Sequence, residues 1–191
     1  MIPKVLFAFP FLAFVLIAAK KPEPAVPPLP SIAPPAAVAA DPANKLTLEL
    51  SNGGTVVIQM RPDLAPRHVE RIQALVRQGF YNGLTFHRVV PGFMAQGGDP
   101  KGDGSSGSSL PDLKAEFTNM PYFRGTVAAA RTDNPDSANS QFFITFGPNI
   151  GLERNYTVWG RVVSGMDAVD RIAPGEPPAQ PTKIVKATLG G

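Results

Sequence analysis

The chain has 191 residues, with 18 Lys and Arg against 15 Asp and Glu, 22 prolines and no cysteine. That length holds one ordinary domain and a tail, and the near-neutral balance lacks the basic run that nucleic-acid binding uses. The absence of cysteine excludes disulfides, thiolate catalysis and cysteine metal sites, and two histidines, His68 and His87, are too few for a histidine-built metal cluster.

The N-terminus reads apart from the rest. Lys4 precedes an uncharged apolar run from Val5 to Ala19, closed by Lys20 and Lys21. Fifteen helical residues span about 22 Å, short of the roughly 30 Å hydrocarbon core. Residues 1–19 are therefore expected to be a signal peptide that exports the chain to the periplasm, the alternative being an uncleaved inner-membrane anchor facing the same side. Residues 22–42 hold eight of the prolines and many alanines. Residues 20–43 are accordingly expected to form an extended, semi-rigid linker. Setting aside residues 1–42, with three lysines and two acids, leaves 15 basic against 13 acidic side chains.

The folded domain is expected over 44–191. From Lys45 to Leu50 the leucines at 46, 48 and 50 alternate with polar residues. Ser51-Asn52-Gly53-Gly54 is a turn, and Thr55 to Met60 completes a hairpin. Pro66 opens a helix in which Val69, Ile72 and Val76 recur at helical spacing, and Gly79 stops it. His68 lies off that stripe and is expected to face solvent. From Leu84 onward the chain is short strand-like runs divided by Gly, Pro, Asn and Asp. Gly165 to Ile172 is a second short helix, and Thr182 to Leu189 a last strand. Many short strands with two helices predict a mainly β fold, a closed antiparallel barrel capped at its ends.

Three blocks stand out within this pattern. The first is Phe86-His87-Arg88-Val89-Val90-Pro91-Gly92-Phe93-Met94-Ala95-Gln96-Gly97-Gly98-Asp99. It sets one arginine, bulky apolar side chains and one amide on strand, turn and strand, with no nucleophile. Such a site suits binding and distorting a small apolar group beside an amide rather than breaking a bond. The second is Ser137-Ala138-Asn139-Ser140-Gln141-Phe142-Phe143-Ile144, and the third runs from Leu152 through Tyr156 and Trp159 to Val162.

In order and at about the family spacing, these blocks closely resemble those of the cyclophilins, the peptidyl-prolyl cis-trans isomerases. The resemblance covers roughly Lys45 to the C-terminus. It implies a closed eight-stranded antiparallel barrel with two capping helices, its ligand groove on the outer face. It further implies acceleration of X–Pro bond rotation, without cofactor or metal, in proline-containing unfolded or extended polypeptides. The alternative on the same scaffold is a non-catalytic proline-peptide binding module or holdase, which would not need Arg88.

The resemblance assigns Arg88, Phe93 and Gln96 as catalytic, with Arg88 donating to the rotating amide. Met94, Phe143 and Leu152 join Phe93 in the proline pocket. Gln96 and Gln141 are the groove amides that meet the peptide backbone and orient Arg88. Ala130 and Arg131 form the groove wall, and Tyr156 stands where eukaryotic members carry histidine. Phe142 alternates with Phe143 and should face the core. His87 is expected to be a buried structural residue and Trp159 a core residue. Gly151 occupies the place of the tryptophan that contacts cyclosporin, so weak or no cyclosporin binding is expected of this chain, read as a monomer. Gly102-Asp103-Gly104-Ser105-Ser106-Gly107 matches a dinucleotide motif by letters only, since Pro111 follows too soon for a helix; it is expected to be a mobile loop.

Overall fold

The computed structural model describes residues 31–190; the apolar run from Val5 to Ala19 lies outside the described residues. Eight strands run in chain order as β1 (Lys45–Leu50), β2 (Thr55–Met60), β3 (Phe86–Val90), β4 (Met94–Gly97), β5 (Thr126–Ala129), β6 (Phe142–Thr145), β7 (Val158–Ser164) and β8 (Ile184–Leu189). Three helices accompany them: α1 (Ala36–Ala40), α2 (Pro66–Arg77) and α3 (Met166–Asp170). Among the described residues the eight strands all pair antiparallel, in one sheet of order β3-β4-β6-β5-β7-β2-β1-β8.

The sheet curls into a half-barrel. Its end strands, β3 and β8, share no ladder and approach only where each begins, around the Thr85–Lys183 bridge. Backbone bonds from Phe86 N to Thr182 O (2.9 Å) and Ile184 N to Leu84 O (2.8 Å) reinforce that contact. The expected closed barrel is thus an eight-stranded open one at this seam.

The first hairpin forms as its alternation predicts, with Leu46, Leu48 and Leu50 all buried and Leu48 opposite Val56. Period-two alternation puts those leucines on the inner face, where they meet α2 and α3. Gly165, at φ +82, begins α3 where a Cβ would lie 1.9 Å from Thr55 O, so glycine is required by both conformation and space.

Helix α2 begins at Pro66 as expected, yet it buries His68 along with Val69, Ile72, Leu75 and Val76. This corrects the solvent-facing expectation for His68. The helix has no acid in its first turn and no side-chain cap of its own. Glu116, arriving from a distant loop, accepts from Arg67 N (3.2 Å) and His68 N (3.1 Å) and contacts His68 Nδ1 at 2.6 Å. A carboxylate there satisfies orphan N–H groups and favours the positive helix end, so the histidine can be buried with a partner.

Of the expected extended linker, residues 20–30 lie outside the described residues, and the described part, from Ser31 on, is partly helical and held against the domain. Residues 36–40 are helical and 42–44 form a 3-10 turn capped by the Asp41 carboxylate. Buried Arg61 donates to Ser31 O and Ile32 O at 3.1 Å, and buried Gln59 donates to Val38 O and Asn44 O. Buried polar groups need partners, and the linker's carbonyls provide them.

Candidate active site

Alternation along the central strands splits the apolar residues between two faces. On β6, Phe142 points inward against Tyr81, Phe86 and Trp159, with ring centroids 5.8, 6.1 and 5.9 Å away. Phe143 points outward, stacked on Tyr122 at 6.4 Å and edge-on to Tyr156 at 5.4 Å. Met94 of β4 and Ala128 of β5 join Phe143 in a second apolar cluster, separate from the main core, with Phe93, Leu152 and Tyr156 packed at its edge. Ala95 and Val127, one residue away on the same strands, belong to the main core.

That outer cluster floors a cleft of about 250 Å³ lined by Arg88, Phe93, Met94, Gln96, Ala130, Arg131, Phe143, Leu152 and Tyr156. Nine of the ten residues singled out in the sequence therefore meet in one place. Met94 and Phe143 are buried floor, while Arg88 is half-exposed. The tenth, Gln141, stands behind the rim: Gln96 Nε2 donates to its Oε1 at 2.9 Å. Gln141 in turn donates to Gly104 O (3.0 Å) and Ser106 O (2.8 Å). A polar cleft of about 250 Å³ adjoins the first, sharing Gln96, Ala130 and Arg131. Together they make a slot with an apolar floor and polar walls, joined to a polar channel, a shape that fits an extended peptide with one small ring.

Arg131 forms the wall between them. Its guanidinium lies 4.8 Å from the Tyr156 ring centroid, and its Nε donates to Asn155 O at 3.0 Å. Stacking and backbone bonding leave it pinned.

The loop following β4 is built around Asp99. This buried carboxylate accepts from Lys101 N (3.0 Å), Asp103 N (3.1 Å), Gly104 N and the Ser106 hydroxyl. Burial opposes its ionisation, but these donors outweigh that and hold its pKa at about 2. Residues 102–107 are a loop, as read from the sequence, and open no helix. His87 is buried beneath it, and neither ring nitrogen bonds any described residue. Burial pushes the His87 imidazole below its ordinary range against the pull of Asp99 and Asp103. It lies off the cleft, in keeping with a structural residue.

The side-chain partners around Arg88 differ from expectation. Arg88 faces Gln96 across the β3–β4 ladder, but Gln96 bonds Gln141 and not Arg88. Arg88 Nε donates instead to Glu176 Oε2 at 2.7 Å. Sequence reasoning missed Glu176, and Tyr122 beneath Phe143, because neither lies within a motif; nothing local marks them.

The chain is also similar to proteins already known. Residues 45–189 match the family described as cyclophilin type peptidyl-prolyl cis-trans isomerase/CLD. A probable peptidyl-prolyl cis-trans isomerase of Brucella suis is 53% identical over 169 residues, covering 80% of this chain and 86% of that protein. A peptidyl-prolyl cis-trans isomerase of Acinetobacter baylyi is 37% identical over 162 residues, covering 77% and 86%. Among solved structures, a cyclophilin from Hirschia baltica matches with a TM-score of 0.72 at 31% identity, covering 78% of this chain and 74% of that one. A Cryptosporidium parvum cyclophilin type isomerase, solved in the presence of the dipeptide Ala-Pro, shares the fold at 24% identity and a TM-score of 0.71, covering 77% and 99%. The chain belongs to the cyclophilin-type peptidyl-prolyl cis-trans isomerases, and that is its activity.

Proposed function

We propose that this isomerase acts in the periplasm, as a monomer, on X–Pro bonds of exported polypeptides that have not yet folded, with Arg88 as the group that lowers the rotation barrier. The observation that carries this reading is the shared cleft: Arg88 sits at the rim of a slot whose floor is the apolar pair Met94 and Phe143. Val5 to Ala19, bounded by lysines, supports export.

Rotation about an X–Pro bond faces a barrier of ~18–20 kcal/mol because the amide has partial double-bond character. Reaching milliseconds from tens of seconds or more takes about five decades, or roughly 7 kcal/mol. No covalent step is required. The slot receives the proline ring, with Phe93 and Leu152 at its edges, and excludes water. Gln96, tied to Gln141, and the Ala130–Arg131 backbone hold the preceding residue in the polar channel, so that only the ring side turns. As the amide twists, conjugation is lost, its nitrogen pyramidalises and the lone pair localises on it. The Arg88 guanidinium donates to it, a charge-assisted bond of ~1.5–3 kcal/mol that strengthens only as the twist develops. Confinement and orientation supply the rest. The Ala-Pro dipeptide named with the Cryptosporidium structure fits the same ligand chemistry.

A protease-coupled isomerisation assay on an X–Pro peptide tests this. Arg88→Ala is expected to lose at least tenfold in kcat/KM, and a folded variant of wild-type activity refutes Arg88 as the donor.

A further inference from the structure

Arg88 presents a long, half-exposed side chain to a reaction that needs one orientation of its guanidinium. An arginine free in solvent samples many rotamers, and ordering it during the reaction costs conformational entropy. The residue that orders it lies far off in the chain, in the segment between α3 and β8. Gly175 there pairs with Val89 of β3, through Val89 N to Gly175 O at 2.8 Å and Gly175 N to Val89 O at 3.0 Å. This two-way bridge sets the next residue, Glu176, alongside Arg88, the neighbour of Val89. Glu176 Oε2 then takes the Nε–H of Arg88 at 2.7 Å.

The choice of nitrogen matters. Nε lies inboard on the guanidinium, and binding it fixes the plane of the group while leaving the outer fork open. Neither terminal nitrogen of Arg88 bonds any described residue. Had the carboxylate taken both Nε and a terminal nitrogen, as Asp63 does with buried Arg61, half the fork would be occupied.

We propose that Glu176 is a positioning residue, which holds the Arg88 guanidinium through Nε so that its terminal nitrogens are presented to the twisting X–Pro amide. The proposal rests on Arg88 being the donor. Glu176 touches no substrate; it lines neither cleft. It also offsets one positive charge at the rim, so that the arginine is held by a carboxylate of the protein itself before substrate arrives. The pair is open to water at both ends, with side chains 43% and 52% exposed, which sets a modest scale: an exposed pair corresponds to about two- to fivefold in an equilibrium or rate.

The experiment is a double-mutant cycle in the full chain, read by protease-coupled isomerisation: wild type, Glu176→Ala, Arg88→Ala and the double variant. Glu176→Ala is expected to lower kcat/KM about two- to fivefold, in kcat more than KM, with a melting temperature close to wild type. Glu176→Gln, which still presents an oxygen to Nε–H, is expected to recover most of that loss. In the Arg88→Ala background, Glu176→Ala is expected to change nothing further. A loss of the same size in both backgrounds, no loss with arginine present, or a gain overturns the positioning role while leaving Arg88 as donor. Wild-type activity in Arg88→Ala alone instead removes the donor reading, and the positioning role with it.

Discussion

Replacing Asp99 with asparagine removes the charge around which residues 99–107 fold. The carboxylate accepts three backbone N–H groups and the Ser106 hydroxyl. Burial alone would raise its pKa; the four donors instead take it from an ordinary 3.8 to about 2. At about 1.4 kcal/mol per tenfold change in acidity, and with the solvent screening of an open loop, that difference is on the order of 2 kcal/mol. Asparagine keeps one accepting oxygen but turns an amide NH2 toward donors. A domain of this size loses about 2–4 °C of melting temperature per kcal/mol, so a fall of roughly 4–8 °C is expected at pH 7. The folded pKa is lowered, so the stabilisation is complete above the ordinary value of 3.8 and is lost as pH falls through about 2. Asp99→Asn should lack that slope. Because Gln141 donates to Gly104 O and Ser106 O, a loosened loop should also release the Gln141–Gln96 pair and lower isomerase turnover severalfold. Thermal melts, acid titration by circular dichroism and the coupled assay read the three effects. A variant with wild-type melting temperature and an unaltered acid limb between pH 4 and 2 would refute the claim that the carboxylate organises the loop.

Gly151→Trp should tighten cyclosporin binding by about two orders of magnitude, from ~2 kcal/mol of ring burial and ~1 kcal/mol for an indole hydrogen bond. A Cβ there would press on Asn149 Oδ1 at 3.3 Å, the movable end of a side chain, so a small shift of Asn149 admits the new residue. Calorimetric titration checks this, and tight binding by the unmodified chain would refute it. Burial lowers the His68 pKa, with Glu116 pulling upward. Stability from the neutral ring is present above the ordinary value of 6.5 and lost as pH falls below it, so His68→Gln should flatten unfolding free energy between pH 7 and 5; an identical pH profile counts against it. N-terminal sequencing of exported protein should place the mature start near Lys20 in the soluble periplasmic fraction, whereas an intact Met1 in the membrane fraction means that residues 5–19 are an anchor.

Much of the site was readable without coordinates because it lies on strands whose alternation is local. Phe142 inward and Phe143 outward follow from a period of two, and the same rule sets Met94 and Gln96 on the outer face with Ala95 turned in. The first hairpin, the start of α2 at Pro66 and the family's three blocks were likewise legible, since each depends on neighbours a few residues apart. What only the tertiary structure decided are pairings across long separations. Glu176 is 88 residues from Arg88, and Glu116 is 48 from His68; at those distances no periodicity links the partners. His68 read as solvent-facing because its place off the apolar stripe is a local fact, while the carboxylate that lets it be buried is not. The linker's hold on Gln59 and Arg61 and the open seam between β3 and β8 are of the same kind. Local sequence sets which face a side chain takes; the curl of the sheet, which brings remote loops to that face, sets the partner it meets.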